Sequence, residues 1–157
     1  YLNMIDNKTG ALINLLIELM ILHSSVESEN LKKDKLKLFF KTLGRFFQIR
    51  DDYINLTSFS YWQERGLCTD IEEGKFTYPI ILAMTELENY DDLYSIIISS
   101  DRYLQEKKLQ ALDIMQRSGS LTKTRDELNS LKDELKLLSK DISNNNLMES
   151  IFDILSY

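Results

Sequence analysis

The sequence predicts an all-α fold, and three observations carry that prediction. Turn-forming residues are scarce, with one proline and five glycines in 157 residues, whereas an all-β domain needs a turn signal every 8–12 positions or so. Apolar residues recur at steps of three and four through most of the chain, the period of an amphipathic helix. Hydrophobic residues make up 43% and charged residues 28%, so the helices have enough apolar surface to bury a core and the chain is not a disordered tail.

The elements follow in order. A first helix spans 1–23, with Leu2, Ile5, Leu12, Ile13, Leu16, Leu19 and Met20 on one stripe, and the polar residues 24–30 form a loop. A second helix runs over 31–56 through Leu36, Phe39, Phe40, Leu43, Phe46, Phe47, Ile49 and Ile54, tolerating Gly44 at a helical position. The phenylalanines read as core, with room for some of them to line an apolar tunnel. Residues 57–77 form a long connection with a short helix near 59–64, and connections of this length inside a compact domain tend to carry function. Pro79 suits the first turn of a helix that reaches Leu87. Helices at 91–99, 101–118, 120–142 and 147–156 complete the set, with Gly119 at the C′ position of one and Ser120 as the N-cap of the next. Leu121, Leu128, Leu131, Leu135, Leu138 and Ile142 give a heptad-like spacing, too short for a free-standing coiled coil and suited to a helix lying along a bundle.

Charge and cysteine usage narrow the function classes. With 19 basic and 25 acidic residues the net charge is −6, which leaves no broad basic face for nucleic acid while permitting a local pocket for a small anion. Cys68 has no partner for an internal disulfide, so a reducing, cytoplasmic compartment is expected. The apolar stretch 11–22 is broken by Asn14 and Glu18 and is too short to span a bilayer. His23 reads as a helix-end residue facing the dipole.

Three segments carry chemistry. Gln48-Ile49-Arg50-Asp51-Asp52-Tyr53-Ile54-Asn55 places Gln48, Asp51, Asp52 and Asn55 on one broad helical face, with Phe46, Ile49, Tyr53 and Leu56 toward a core. Adjacent carboxylates can hold a hard divalent ion, and Mg²⁺ takes one or two of them with phosphate oxygens and water; a solvated helix end is the alternative. Glu64-Arg65-Gly66-Leu67-Cys68-Thr69-Asp70, followed by Glu72-Glu73-Gly74-Lys75, can bring cations and backbone amides to an anion, or is an ordinary charged loop. Asn7-Lys8-Thr9-Gly10 offers a point charge and a hydroxyl to a phosphate, or a surface lysine beside a small residue.

In their order and spacing over 1–82, these segments together with Phe76-Thr77-Tyr78-Pro79-Ile80 resemble the trans-isoprenyl diphosphate synthases, and among them most the eukaryotic geranylgeranyl diphosphate synthases. The resemblance implies an isoprenoid-synthase-type helical bundle, with 1–157 the C-terminal part of one polyprenyl synthase domain and 83–157 its last helices. It implies Mg²⁺-dependent ionisation of an allylic diphosphate (dimethylallyl, geranyl or farnesyl), attack by isopentenyl diphosphate, and proton loss to give geranylgeranyl diphosphate. Asp51, Asp52 and Asn55 match the second aspartate-rich, metal-holding motif. Lys8, Thr9 and Gln48 match the catalytic wall beside the allylic diphosphate, and Arg65 and Lys75 match the cations of the diphosphate loop. A homodimer is implied as well.

Three departures from the family pattern bear on this. Asn55 stands where many members have a third aspartate, and Arg65 where lysine is usual. No first aspartate-rich motif occurs in the 157 residues; Asp91-Asp92 lies on the wrong side of the matched segments to serve as one. A start on Tyr1 in mid-helix agrees with a chain about half the family's length, and synthase activity from this chain alone is not expected. A non-catalytic, synthase-derived interaction module and a farnesyl diphosphate synthase remain the other readings.

Overall fold

The computed structural model describes residues 1–11, 14–16, 18–19 and 30–142, and among these every regular element is helical. The expected helix at 147–156, His23 and nearly all of the loop expected at 24–30 lie outside the described residues. The chain forms two compact units, one of residues 1–48 and 128–157 and the other of 49–127.

In the first unit, α1 (Leu2–Ile5) gives way to a π-helical turn at Asp6–Gly10. The expected single helix is thus interrupted where the Asn-Lys-Thr-Gly segment falls. Such turns, with wider i→i+5 closure, recur at functional sites. The turn is anchored by Asp6, which accepts from Arg45 Nε at 2.7 Å and Nη2 at 2.5 Å and lies 3.2 Å from Lys41 Nζ. The Arg45 fork holds the Asp6 carboxyl below the usual carboxylate range, with Lys41 adding to it. Ile5, Phe39 and Phe46 are buried, while Phe47 is 46% exposed, so that part of the phenylalanine run faces outward. α2 (Asn30–Thr57) starts in this unit and α8 (Ser120–Ile142) ends in it. Leu128, Leu131 and Leu135 of α8 are buried within the chain itself, as expected of a bundle helix, and Glu134 accepts from Thr42.

The second unit holds the larger cluster. In the long connection α3 (Phe59–Arg65) falls where a short helix is expected, and the one-turn α4 (Thr69–Glu72) is an addition. α5 (Tyr78–Glu86), α6 (Asp91–Ile98) and α7 (Gln105–Arg117) follow, with α7 packed on α5 and α6. Leu56, Cys68, Ile71, Ile80, Ala83, Leu93, Ile96, Ile97, Ala111 and Met115 form one buried cluster, and each fully buried aliphatic side chain contributes about 1.5–3 kcal/mol. Asp91 and Asp92 stand exposed in the first turn of α6, where negative charge meets the helix dipole favourably, and Asn89 Oδ1 accepts from Asp91 N.

Two boundaries differ from expectation for local reasons. α7 starts at Gln105 because residues 101–104 close a turn through Leu104 N→Asp101 O, backed by the Ser99–Asp101 side-chain bond. Ser120 is not the N-cap of α8. Gly119, at φ +74°, fills that place, and its carbonyl accepts from Lys123 N. Ser118 Oγ accepts from Ser120 N, while the buried Ser120 hydroxyl donates back to Met115 O. A Cβ on Gly119 meets nothing within 4 Å, so Gly119→Ala carries only the left-handed backbone cost. Urea unfolding is expected to show a loss of about 1–2 kcal/mol, with Gly119→Asn losing less.

Candidate functional site

The site grows from the last two turns of α2. The polar groups expected to share one broad face differ in exposure: Asp51 is exposed, whereas Asp52 is 3% and Asn55 2% exposed. Their burial is compensated by hydrogen-bond partners from later segments of the chain, as buried polar groups require. Asp52 Oδ2 accepts from Tyr78 N at 2.9 Å. Thr77, at the N-cap of α5, makes no side-chain capping bond, so Asp52 supplies the cap from another helix, its charge facing the positive end of α5. Asn55 Nδ2 donates to Thr69 Oγ1 at 2.7 Å, and its Oδ1 accepts from Asp70 N at 3.3 Å. Both ends of the amide thus hold α4. The resemblance places Asn55 with the aspartates of the metal-holding motif; in this structure its amide bonds to the following segment.

α2 ends at Thr57 because the chain turns into extended backbone at Ser58, whose Oγ accepts from Tyr61 N. The Trp62 indole then donates to Asn55 O at 2.7 Å, satisfying a carbonyl that the helix end leaves without a partner. α3 brings Tyr61 Oη to within 3.4 Å of Asp51 Oδ1, and the Arg65 guanidinium lies over the Tyr61 ring at 5.3 Å. That stacking keeps an exposed, planar cation on the rim beside Asp51.

Asp70, which the sequence shows only as an acid flanked by cations, is the further buried carboxylate beside these groups. It is 7% exposed on α4, and Lys75 Nζ lies 3.0 Å from its Oδ1 and 2.6 Å from Glu73 Oε2. Burial pushes the Asp70 carboxyl up; the Lys75 hydrogen bond opposes this, and the neighbouring Asp51 and Glu73 charges add to it. The Lys75 ammonium is raised by its bonds to Glu73 and Asp70 and stays charged at physiological pH. Only the flanking cations around Asp70 are visible in the sequence as a signal, since its burial is a tertiary property. Gly74 completes the turn at φ +69°, with the Arg102 guanidinium 3.2 Å from where a Cβ would stand. Cys68, fully buried and left-handed at φ 47°, has its thiol pushed up to about 12 by burial, which keeps it protonated and unreactive.

The structure therefore brings Asp51, Asp52, Asn55, Arg65 and Lys75 into one unit, and adds Asp70. Lys8, Thr9 and Gln48 belong to the other unit. Lys8 is exposed on the π-helical turn, and Gln48 is half-buried; the Thr9 side chain is outside the described part. No group of three or more His, Cys, Asp and Glu is arranged as a self-sufficient metal cage among the described residues. Carboxylate oxygens in ones and twos are the donor set of an ion that completes its shell with phosphate and water.

The chain is all-α among its described residues, with paired carboxylates at a helix end followed by a cation-bearing turn. The polyprenyl synthetase family model matches residues 1–115, and the chain belongs to that family. It is 42% identical over 136 residues to macrophomene synthase of Macrophomina phaseolina, covering 85% of this chain and 19% of that protein. It is 40% identical over 131 residues to geranylgeranyl pyrophosphate synthase A of Phomopsis amygdali (77% and 32%). The geranylgeranyl pyrophosphate synthase of Dictyostelium discoideum is 34% identical over 157 residues, 99% of this chain and 49% of that one. The chain thus spans at most about half the length of these relatives.

The raised Asp70 carboxyl has a consequence for stability. The folded state holds this proton more tightly than the unfolded chain, whose aspartate titrates near about 3.9. The stabilisation is complete below that pH and is lost as pH rises through the raised value. Asp70→Asn is expected to melt above wild type at pH 7 and level with it near the foot of the carboxylate range, as thermal scans at the two pH values would show.

Proposed function

We propose that the chain is part of a trans-prenyltransferase that makes geranylgeranyl diphosphate from an allylic diphosphate and isopentenyl diphosphate. The observation that carries this is the grouping of Asp51, near the end of α2, with Asp70 of α4 and Lys75 in the turn after it, acidic groups beside a charged ammonium. Family membership and the relatives named geranylgeranyl pyrophosphate synthase favour the same chemistry. Asp51 and Asp52 would hold Mg²⁺, which when bound neutralises charge developing on the departing diphosphate.

The chain's own groups do the rest. Lys75 leaves its pairing with Asp70 and Glu73 to donate to a diphosphate oxygen, and Arg65 offers its fork from the rim. Asp52 sets the start of α5 while keeping its charge at the metal edge. Lys8, Thr9 and Gln48 are assigned to the allylic diphosphate and its cavity wall, and Asn55 to holding Asp70. The family further favours a homodimer and a cytoplasmic enzyme. No helix among the described residues is long and apolar enough to cross a membrane.

Binding of inorganic pyrophosphate in the presence of Mg²⁺, measured by calorimetry, tests the site directly. Asp51→Asn, Asp52→Asn and Lys75→Ala are each expected to weaken it by about tenfold or more. Asparagine at position 52 can still accept from Tyr78 N, so that variant removes charge and keeps the cap. Unchanged binding in all three would exclude the proposed site.

A further inference from the structure

Among the described residues, the buried charged side chains are Asp52, Asp70 and Lys108. The first two belong to the site already described. The third lies on α7, in the buried stripe with Ala111 and Met115, and its charge is close enough to Cys68 to act on that thiol. Its Nζ is 2.6 Å from Glu72 Oε2; the Lys108 side chain is 8% exposed and that of Glu72 49%. Glu72 is the last residue of α4, two positions after Asp70.

A second cation grips the same turn through its main chain. Arg102 Nε donates to Glu72 O at 3.0 Å, and Nη1 donates to Ser99 O at 2.7 Å. The guanidinium lies flat enough against Gly74 that a Cβ there would stand 3.2 Å from Nε. The turn beneath is closed by Gly74 N→Ile71 O and Lys75 N→Asp70 O, each 2.9 Å. One end of α4 is therefore held by Asn55 and the other by Arg102 and Lys108.

Stability is a poor account of this arrangement. Burying an ammonium against a carboxylate is commonly no better, and often worse, than filling the same volume with an apolar side chain. What the ion pair and the guanidinium supply is direction: they fix where α4 stops and hence where Asp70 and Lys75 stand. We propose that Lys108 and Arg102 are positioning residues for the Asp70–Lys75 pair, acting through Glu72 and Gly74 to hold it in register with Asp51. This rests on the diphosphate-binding reading of the site.

The test compares the full chain with Lys108→Met, Lys108→Arg and Arg102→Ala, using inorganic pyrophosphate with Mg²⁺ in calorimetry and amide hydrogen exchange at Gly74 and Lys75. Lys108→Met and Arg102→Ala are expected to speed exchange at these two amides about tenfold while the amides of α8 beyond Leu128 are unaffected. Pyrophosphate affinity is expected to fall about tenfold, with Lys108→Arg restoring most of it. Wild-type binding that Lys108→Met and Arg102→Ala both leave unchanged overturns the positioning role alone. A wild-type chain that binds no pyrophosphate overturns the diphosphate reading, and this role with it. If Lys108→Met does not fold, Arg102→Ala, which alters a half-exposed side chain, decides by the same readouts.

Discussion

The second unit is organised by one buried amide. Asn55 sits in the last turn of a long helix, where side chains are ordinarily hydrated, yet it is almost wholly removed from water and joined at both ends to α4. Losing such a partner leaves a desolvated donor and acceptor, a cost of about 1–3 kcal/mol for each. Because Asn55 fixes Thr69 and Asp70, it also sets the direction in which Cys68 and Ile71 enter the core. Its own carbonyl, bonded to Trp62, ties α3 into the same knot. An aspartate in its place would keep an acceptor for Asp70 N and lose the donor to Thr69, placing a second negative charge against a carboxyl that burial already disfavours.

The helices were legible because each is built on a repeat that burial enforces. The stripe from Leu128 to Leu135 and the run Ile80–Ala83 lie where their spacing puts them. Capping was less legible, since it turns on which hydroxyl or carboxylate arrives. Sequence spacing favours Ser120, but its hydroxyl reaches Met115 and the adjacent glycine takes the cap. The cap of α5 comes from Asp52, twenty-six residues before Tyr78, a separation no local rule examines. The π-helical turn at Asp6–Gly10 is likewise invisible to a periodicity of 3.6, and its anchors, Lys41 and Arg45, lie far along the chain.

The candidate site divides along the same line. Asp51, Asp52 and Lys75 could be named because an aspartate pair and a basic loop have a recognisable order. Asp70 could not, because an acid between two cations looks like any charged loop until its solvent exposure is known. A single helical face was too coarse a description of the polar residues at the end of α2. Their separation into one exposed carboxylate and two buried groups reflects the chain folding back over that face after Ser58. The net charge of −6 therefore says little about the ligand, since the cations that matter are held locally against acids.

Cys68 shows what this construction makes observable. Its thiol is enclosed, protonated and immediately ahead of α4, on backbone bent into the left-handed region. A thiol-selective reagent reaches it only when the α4 segment lifts from the cluster. Its labelling rate therefore counts those excursions, giving the chain an internal gauge of how tightly the turn is kept shut.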